Sequence, residues 1–381
     1  NSSALMEDVV DVMDLTSSPT KVSLARVANV PGNPQTVLLE SSELITFVVH
    51  IRGDTVSSSL DVQALDACNV QAELLSMSGG SLISRAVFAS FLRGGSSIHA
   101  ALQHVANFDG KSCFLSGEGL FGEIVRCGGV GANFVVENSV ILVNVVDACN
   151  VKAEALRAFG NPGSIALLVT GIRLGRLTGS SVAKSKVQHA ANFRGMRCNL
   201  TQFVGSLFRA DSSPVSDSKV SIAAKDVGNA LAQLTDIVRG GGRVQTVLSA
   251  VGAVDGALVS VSLDKTGNVA TKDLELHEAA LIEGVLESES GTIQNSDVKV
   301  RLVGSASIFF SGTWTTTNST LLGPITDDDL TLAAIDLALK NTAVVKGRLS
   351  GVTTVNGTTL CADGAAVLRR AADKFANSCT R

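Results

Sequence analysis

Val151, Ala153 and Ala155 alternate with Lys152, Glu154 and Leu156, the spacing of a half-buried strand. Asn161-Pro162-Gly163 then signals a turn, and the aliphatic run 164–169 reads as a buried strand. Gly175 and Gly179 mark a loop, after which Ser180 or Ser181 is placed to cap a helix running to about Ala191. An earlier stretch follows the same plan: a turn at Ser78-Gly79-Gly80, a strand over 81–92, a loop at Gly94-Gly95-Ser96-Ser97 and a helix ending near Ala106. Residues 37–52 add a further strand around Ile45-Thr46-Phe47-Val48-Val49. The pattern therefore predicts a β-hairpin, a loop and a helix, twice over.

The two stretches also match residue for residue. Asp66-Ala67-Cys68-Asn69-Val70-Gln71-Ala72-Glu73 recurs as Asp147-Ala148-Cys149-Asn150-Val151-Lys152-Ala153-Glu154, 81 residues on. Gln103-His104-Val105-Ala106-Asn107-Phe108-Asp109-Gly110-Lys111-Ser112-Cys113 recurs as Gln188-His189-Ala190-Ala191-Asn192-Phe193-Arg194-Gly195-Met196-Arg197-Cys198, 85 residues on. Two matches in one order at nearly one offset mean an internal duplication. Phe108 and Phe193 are expected as equivalent core anchors, and the two units are expected to pair about a pseudo-two-fold axis.

The second half shows no third copy. Residues 212–218 read as a linker; helices are expected at 223–238, 274–286 and 365–376, and another capped by Thr326 and entering Asp327-Asp328-Asp329. Strands are expected at 244–251, 257–263, 298–310 and 344–355. The fold class is thus α/β (α+β), with two tandem pseudo-symmetric hairpin-plus-helix units and a mixed region after them. The division is an N-terminal arm 1–35, repeat domains 36–127 and 128–211, a linker 212–219 and a C-terminal region 220–381.

Composition narrows the function. Of 381 residues 45% are apolar and 17% charged, below the usual quarter, and the mean hydropathy is +0.31. No uninterrupted apolar run is long enough for a transmembrane helix, so the excess apolar surface belongs either to a large core or, the favoured reading, to subunit contacts. A net charge of −4 lacks the basic excess of a nucleic-acid coat, and one Trp with no Tyr is poor equipment for a small-ligand or base-stacking surface. Seven Cys cannot all pair internally and form no CxxC; they read as free thiols, and the sequons at Asn199, Asn318 and Asn356 as chance.

Candidate chemistry is thin. Each copy carries Cys, His and Cys in order: Cys68, His104, Cys113 and Cys149, His189, Cys198. Zinc accepts those ligands, but the spacing fits packing residues as well. His277-Glu278 starts a zincin motif that Leu281 breaks. Gly128-Gly129-Val130-Gly131 completes no phosphate loop, and Arg239-Gly240-Gly241-Gly242-Arg243 is at most an anion cradle. Of five histidines (His50, His99, His104, His189, His277), none is joined by pattern to a nucleophile and an orienting acid. The expectation is no catalytic residue, no cofactor and no metal.

The paired Asp-Ala-Cys-Asn-Val-x-Ala-Glu and Gln-His-x-Ala-Asn-Phe-x-Gly-x-x-Cys segments, over about residues 60–210, resemble the paired regions of diatom pyrenoid shell proteins. The Asn-Ser-Ser-Ala-Leu-Met start resembles a plastid protein trimmed of its transit peptide. The resemblance implies a self-assembling structural protein, not an enzyme, tiling a sheet or tube around the Rubisco condensate at the pyrenoid periphery of the chloroplast. Its partners would be other copies of itself, with Rubisco or shell paralogues beyond them, and neither nucleic acid nor membrane. A viral capsid or tail protein, and an enzyme with a site between the two copies, are the alternatives.

Overall fold

Alternation extends much further than those segments. Lys219–Lys225 buries Val220, Ile222 and Ala224, and Leu258–Asp264 and Asp297–Val303 bury every second residue in the same way. A strand of this kind must satisfy backbone groups on both edges. Each does so against the strands one coil before and one coil after. Val182–Gln188, Lys219–Lys225, Leu258–Asp264 and Asp297–Val303 pair in parallel, residue for residue. The computed structural model describes residues 6–322, with breaks at 32–34, 41–42, 118, 129–134, 159–164, 201, 212–213, 239–241, 278, 289–291, 312–313 and 318–319, and separate strands from there to residue 380.

The chain is a parallel β-solenoid of about seven turns. One coil passes from Ile83–Arg93 in sheet A to Ser97–Val105 in sheet B and Phe108–Ser116 in sheet C, and Phe121–Cys127 then returns to sheet A. Sheet B shows the design most plainly: nine strands in chain order, from Pro19–Ala25 to Ala334–Lys340. In the later coils sheet A takes two strands per turn, as with Leu168–Leu174 and Arg176–Thr178. Two antiparallel pairs, Thr353–Val355 with Thr358–Leu360 and Ala365–Ala371 with Lys374–Thr380, lie beyond the coils in sequence.

Register stacks like upon like inside. Leu60, Ile98, Ile141, Ala183, Val220, Val259 and Val298 occupy one row of sheet B and are all buried. Parallel sheets favour such β-branched stacks, and each larger aliphatic side chain contributes about 1.5–3 kcal/mol. Sheet C carries the row Val70, Phe108, Val151, Phe193, Ala230, Val269 and Ile308. Phe108 and Phe193 are 1% and 2% exposed, so both are core anchors. The Phe-x-Gly spacing has a steric cause. A Cβ on Gly110 would lie 1.8 Å from the Ala72 carbonyl oxygen and 2.7 Å from the Phe108 ring; one on Gly195 would meet Ala153 and Phe193 in the same way.

The expected α/β class is therefore wrong: among the described residues there is no helix, and the hairpin-plus-helix units do not exist. Residues 180–191 hold the strand Val182–Gln188, which buries Ala183, Ser185 and Val187 and exposes Lys184 and Lys186. The expected helix at 223–238 is the end of one strand, a turn, and the strand Ala230–Val238. Residues 274–286 fall on Val269–His277 and Ala280–Ser288, and 365–376 on the two strands of the last antiparallel pair. The capping serine and helix-forming alanines are weak local preferences, overridden by ladders to both neighbouring coils. The segment 212–219 carries Val215–Ser216 and the start of Lys219–Lys225. Thr326, Asp327 and Asp328 lie outside the described residues.

Candidate functional site

The corner between sheets B and C is built from one asparagine per coil: Asn29, Asn69, Asn107, Asn150, Asn192, Asn229 and Asn268. Each Oδ1 accepts the backbone N–H of the next position at 2.8–3.0 Å, and Ser307 takes the last bond. Each Nδ2 donates at 2.7–3.0 Å to the carbonyl three residues before the next position, as Asn150 does to His189. Successive positions are 37–43 residues apart, which is the length of a coil. The residues three and one before each position have φ between +50° and +68°. Gly228 and Gly267 adopt this freely, whereas Cys68, Ala106, Cys149 and Ala191 do so against preference, held by the ladder. The corner between sheets A and B uses serine instead: Ser58 Oγ accepts from Ser18 N at 3.2 Å, and Ser181 Oγ from Ser139 N at 3.2 Å.

Along the asparagine corner runs a groove of about 940 Å³. The position three before each asparagine gives Arg26, Asp66, His104, Asp147, His189, Asp226 and Lys265, so a carboxylate alternates with a nitrogen-bearing side chain from coil to coil. His104 Nδ1 lies 2.6 Å from Asp147 and its Nε2 3.8 Å from Asp66; His189 lies 3.3 Å from Asp226. Sheet C continues the alternation with Lys111–Glu73 at 2.7 Å and Lys152–Asp109 at 2.9 Å. These groups are 28–70% exposed, so water screens each pair and its contribution to stability is small. Farther along, the groove is lined by Leu231, Ala270 and Phe309.

Sheet A carries a different cluster. Glu123, 7% exposed at its side chain, meets Arg85 at 2.7 Å, Arg126 at 3.2 Å and Arg173 at 2.8 Å. Asp211 joins Arg173 at 2.5 Å and Arg209 at 2.7 Å. Burial pushes both carboxyls up. The hydrogen bond from Arg85 and the charges of Arg126, Arg85 and Arg173 outweigh this for Glu123, and Arg173 with Arg209 does so for Asp211, so both sit below the usual carboxylate range. Asp8, Asp11 and His50 form the one group, among the described residues, of three donors converging within 4.8 Å. Arg52 bonds both oxygens of Asp11 there, and His50 stacks on Phe47 at 4.5 Å, which makes this an ion-pair cluster.

The Cys–His–Cys sets are not brought together. Cys68, Cys113, Cys149 and Cys198 are buried in the solenoid interior while His104 and His189 stand about half exposed on the corner. Burial lifts the Cys68 thiol to about 12 and raises Cys113 and Cys149 as well, so these groups stay protonated at neutral pH. His50, His99, His104 and His189 all face aspartates rather than a hydroxyl or thiol, an ion-pairing arrangement. Arg243, a candidate for an anion cradle, is fully buried, donating to the Leu200 carbonyl at 2.7 Å with its guanidinium 4.1 Å from the Phe203 ring centre. Arg239, Gly240, Gly241, Gly129, Val130, Gly131 and Glu278 lie outside the described residues. The asparagine ladder and the Glu123 cluster were missed. The signal for the first was an Asn every 37–43 residues, followed on most coils by a buried apolar residue. Compared with known proteins, the chain matches no family model, no curated protein and no solved structure.

Proposed function

We propose that this chain is a structural, self-assembling scaffold rather than a catalyst. The observation that carries the reading is the unbroken axial ladder along the corner: a half-buried hydrogen bond from each described coil to the next, at nearly constant geometry. Such a body is stiff along its axis and repeats its surface at every coil, about 4.8 Å apart. Its outer surface favours association. Leu38, Met196, Leu231 and Phe309 stand 40–56% exposed, all on strands of sheet C. Lateral packing of copies through sheet C would cover them and account for the low charge fraction.

A pyrenoid periphery, with Rubisco or shell paralogues as further partners, stays part of this proposal as its setting. The two segments that suggested it are alternate coils of one solenoid, so the setting rests on the proposed self-assembly rather than on a paired domain. The test is electron microscopy and light scattering of the purified chain. Concentration-dependent sheets or filaments, dispersed by Leu231→Glu with Phe309→Glu, are expected. A monodisperse monomer at high concentration would overturn the reading, and uniform closed particles would favour a capsid.

A further inference from the structure

The outer face of sheet B sorts charge in a way that the net −4 conceals. Its strands pair residue for residue without a register shift, so every second side chain joins a straight outward row along the axis. One central row runs His99, Leu142, Lys184, Ser221, Ser260, Lys299, and the other Ala101, Asn144, Lys186, Ala223, Ser262, Arg301. Over these six coils the two rows carry Lys184, Lys186, Lys299 and Arg301 and no carboxylate. The rows on either side add Lys219 and Lys225 against Asp297 and Asp264. Past these coils the first row continues to Asp61 and Lys21 at one end and Asp336 at the other.

Lys184, Lys186, Lys219, Lys225, Lys299 and Arg301 are all exposed, and none makes a side-chain hydrogen bond or ion pair among the described residues. Stacked like charges are unfavourable unless anions come among them. Six cations against two carboxylates on these coils leave that role to a partner. The same face is aliphatic between its cations. Val140, Leu142, Val146 and Val182 are half-exposed, and Leu258 is 49% exposed. None of the outward residues on these six strands is Phe or Trp.

We propose that this face docks on the surface of a membrane carrying anionic lipid, its lysine and arginine side chains taking the headgroups and its aliphatic positions resting at the interface. A lysine lays its stem along apolar surface and keeps its ammonium at the headgroups. A soluble polyanion would use the cations and leave the aliphatic residues in water, and single-stranded nucleic acid would find no ring on which to stack. A bilayer surface covers both kinds of residue and reaches every row at once. Such a contact needs no membrane-crossing segment, and its partner lies outside those that the resemblance implied.

The experiment is flotation of the full chain with phosphatidylserine–phosphatidylcholine vesicles, with phosphatidylcholine vesicles as the neutral control and dextran sulfate and oligo-dT as soluble competitors. The anionic vesicles float the chain and the neutral ones do not. Lys184→Gln with Lys186→Gln weakens binding by about 25-fold, about fivefold for each charge. Leu258→Ser weakens it too, which a purely ionic contact would not show. Arg194→Gln with Arg197→Gln, which removes an equal charge from exposed positions of sheet C, leaves it unchanged. Both lysines stand in water, so their double variant melts with the native chain and the loss is not unfolding. No flotation with the anionic vesicles, equal flotation with the neutral ones, an equal loss with the sheet C pair, or full displacement by either competitor at matched charge would each overturn the proposal. Self-assembly is read separately by light scattering, so the two proposals fail independently.

Discussion

The asparagine corner and the face of sheet A both carry a line of titratable groups along the solenoid axis, and they solve the problem of stacking them in opposite ways. At the corner aspartate alternates with histidine by coil, through Asp66, His104, Asp147, His189 and Asp226, and every group stands partly in water. On sheet A the row repeats arginine three times and inserts a buried Glu123 and a partly buried Asp211 from neighbouring rows. The corner's charges contribute little energy but oppose a slip of one coil, because such a slip would set like against like. Sheet A's cluster contributes energy because its carboxylates are desolvated, and each is costly to remove.

The sharpest way to break that contrast is Glu123→Gln, which leaves three guanidinium groups around an uncharged side chain. It is expected to cost about 3–5 kcal/mol in denaturant unfolding; a loss below about 1 kcal/mol would make the cluster ornamental. The same carboxylates set the acid limit. Folding lowers the pKa of Glu123 and Asp211, so their stabilisation is fully present above about pH 5, the upper edge of ordinary carboxylate titration, and is lost as the pH falls through the lowered folded values. Thermal melts across that range should show the loss in the native chain and a much smaller one in Glu123→Gln.

Next comes Asn150→Ala. It strips the partners of the Asn192 N–H and the His189 carbonyl, at an expected cost of about 2–3 kcal/mol. Amide exchange should speed first at Asn192. Smallest is His104→Asp, which places three carboxylates in succession at the corner. Its expected cost is below about 1 kcal/mol and fades at about 0.5 M salt. A larger effect, independent of salt, would mean that the corner charges stabilise the fold directly rather than guard its register.

The pairing of coils also explains what sequence comparison could see. Adjacent coils are complementary rather than alike: Asp66 meets His104, Cys68 meets Ala106, Val70 meets Phe108, and the next coil restores Asp147, Cys149 and Val151. Self-similarity therefore appears at two coils, and the offsets of 81 and 85 residues are two turns of about 40. The segments containing Asn69 and Asn107, read as different parts of one unit, are the same corner in successive coils.

The amino-acid sequence by itself determined the duplication, the alternation over 151–154, the buried role of Phe108 and Phe193, and the interior nature of Cys68, Cys113, Cys149 and Cys198, whereas Leu156, assigned with Lys152 and Glu154, turns inward. Those are properties of single segments, written in the order of apolar and polar residues. The tertiary structure alone decided that the strands run parallel, that residues 182–188 extend rather than coil, and that Arg85, Glu123, Arg173 and Asp211 meet. A parallel ladder joins residues a full coil apart, so the bonds that select it have no local trace. Lys184 and Lys186 read equally as a helix surface until two neighbouring strands claim the backbone between them.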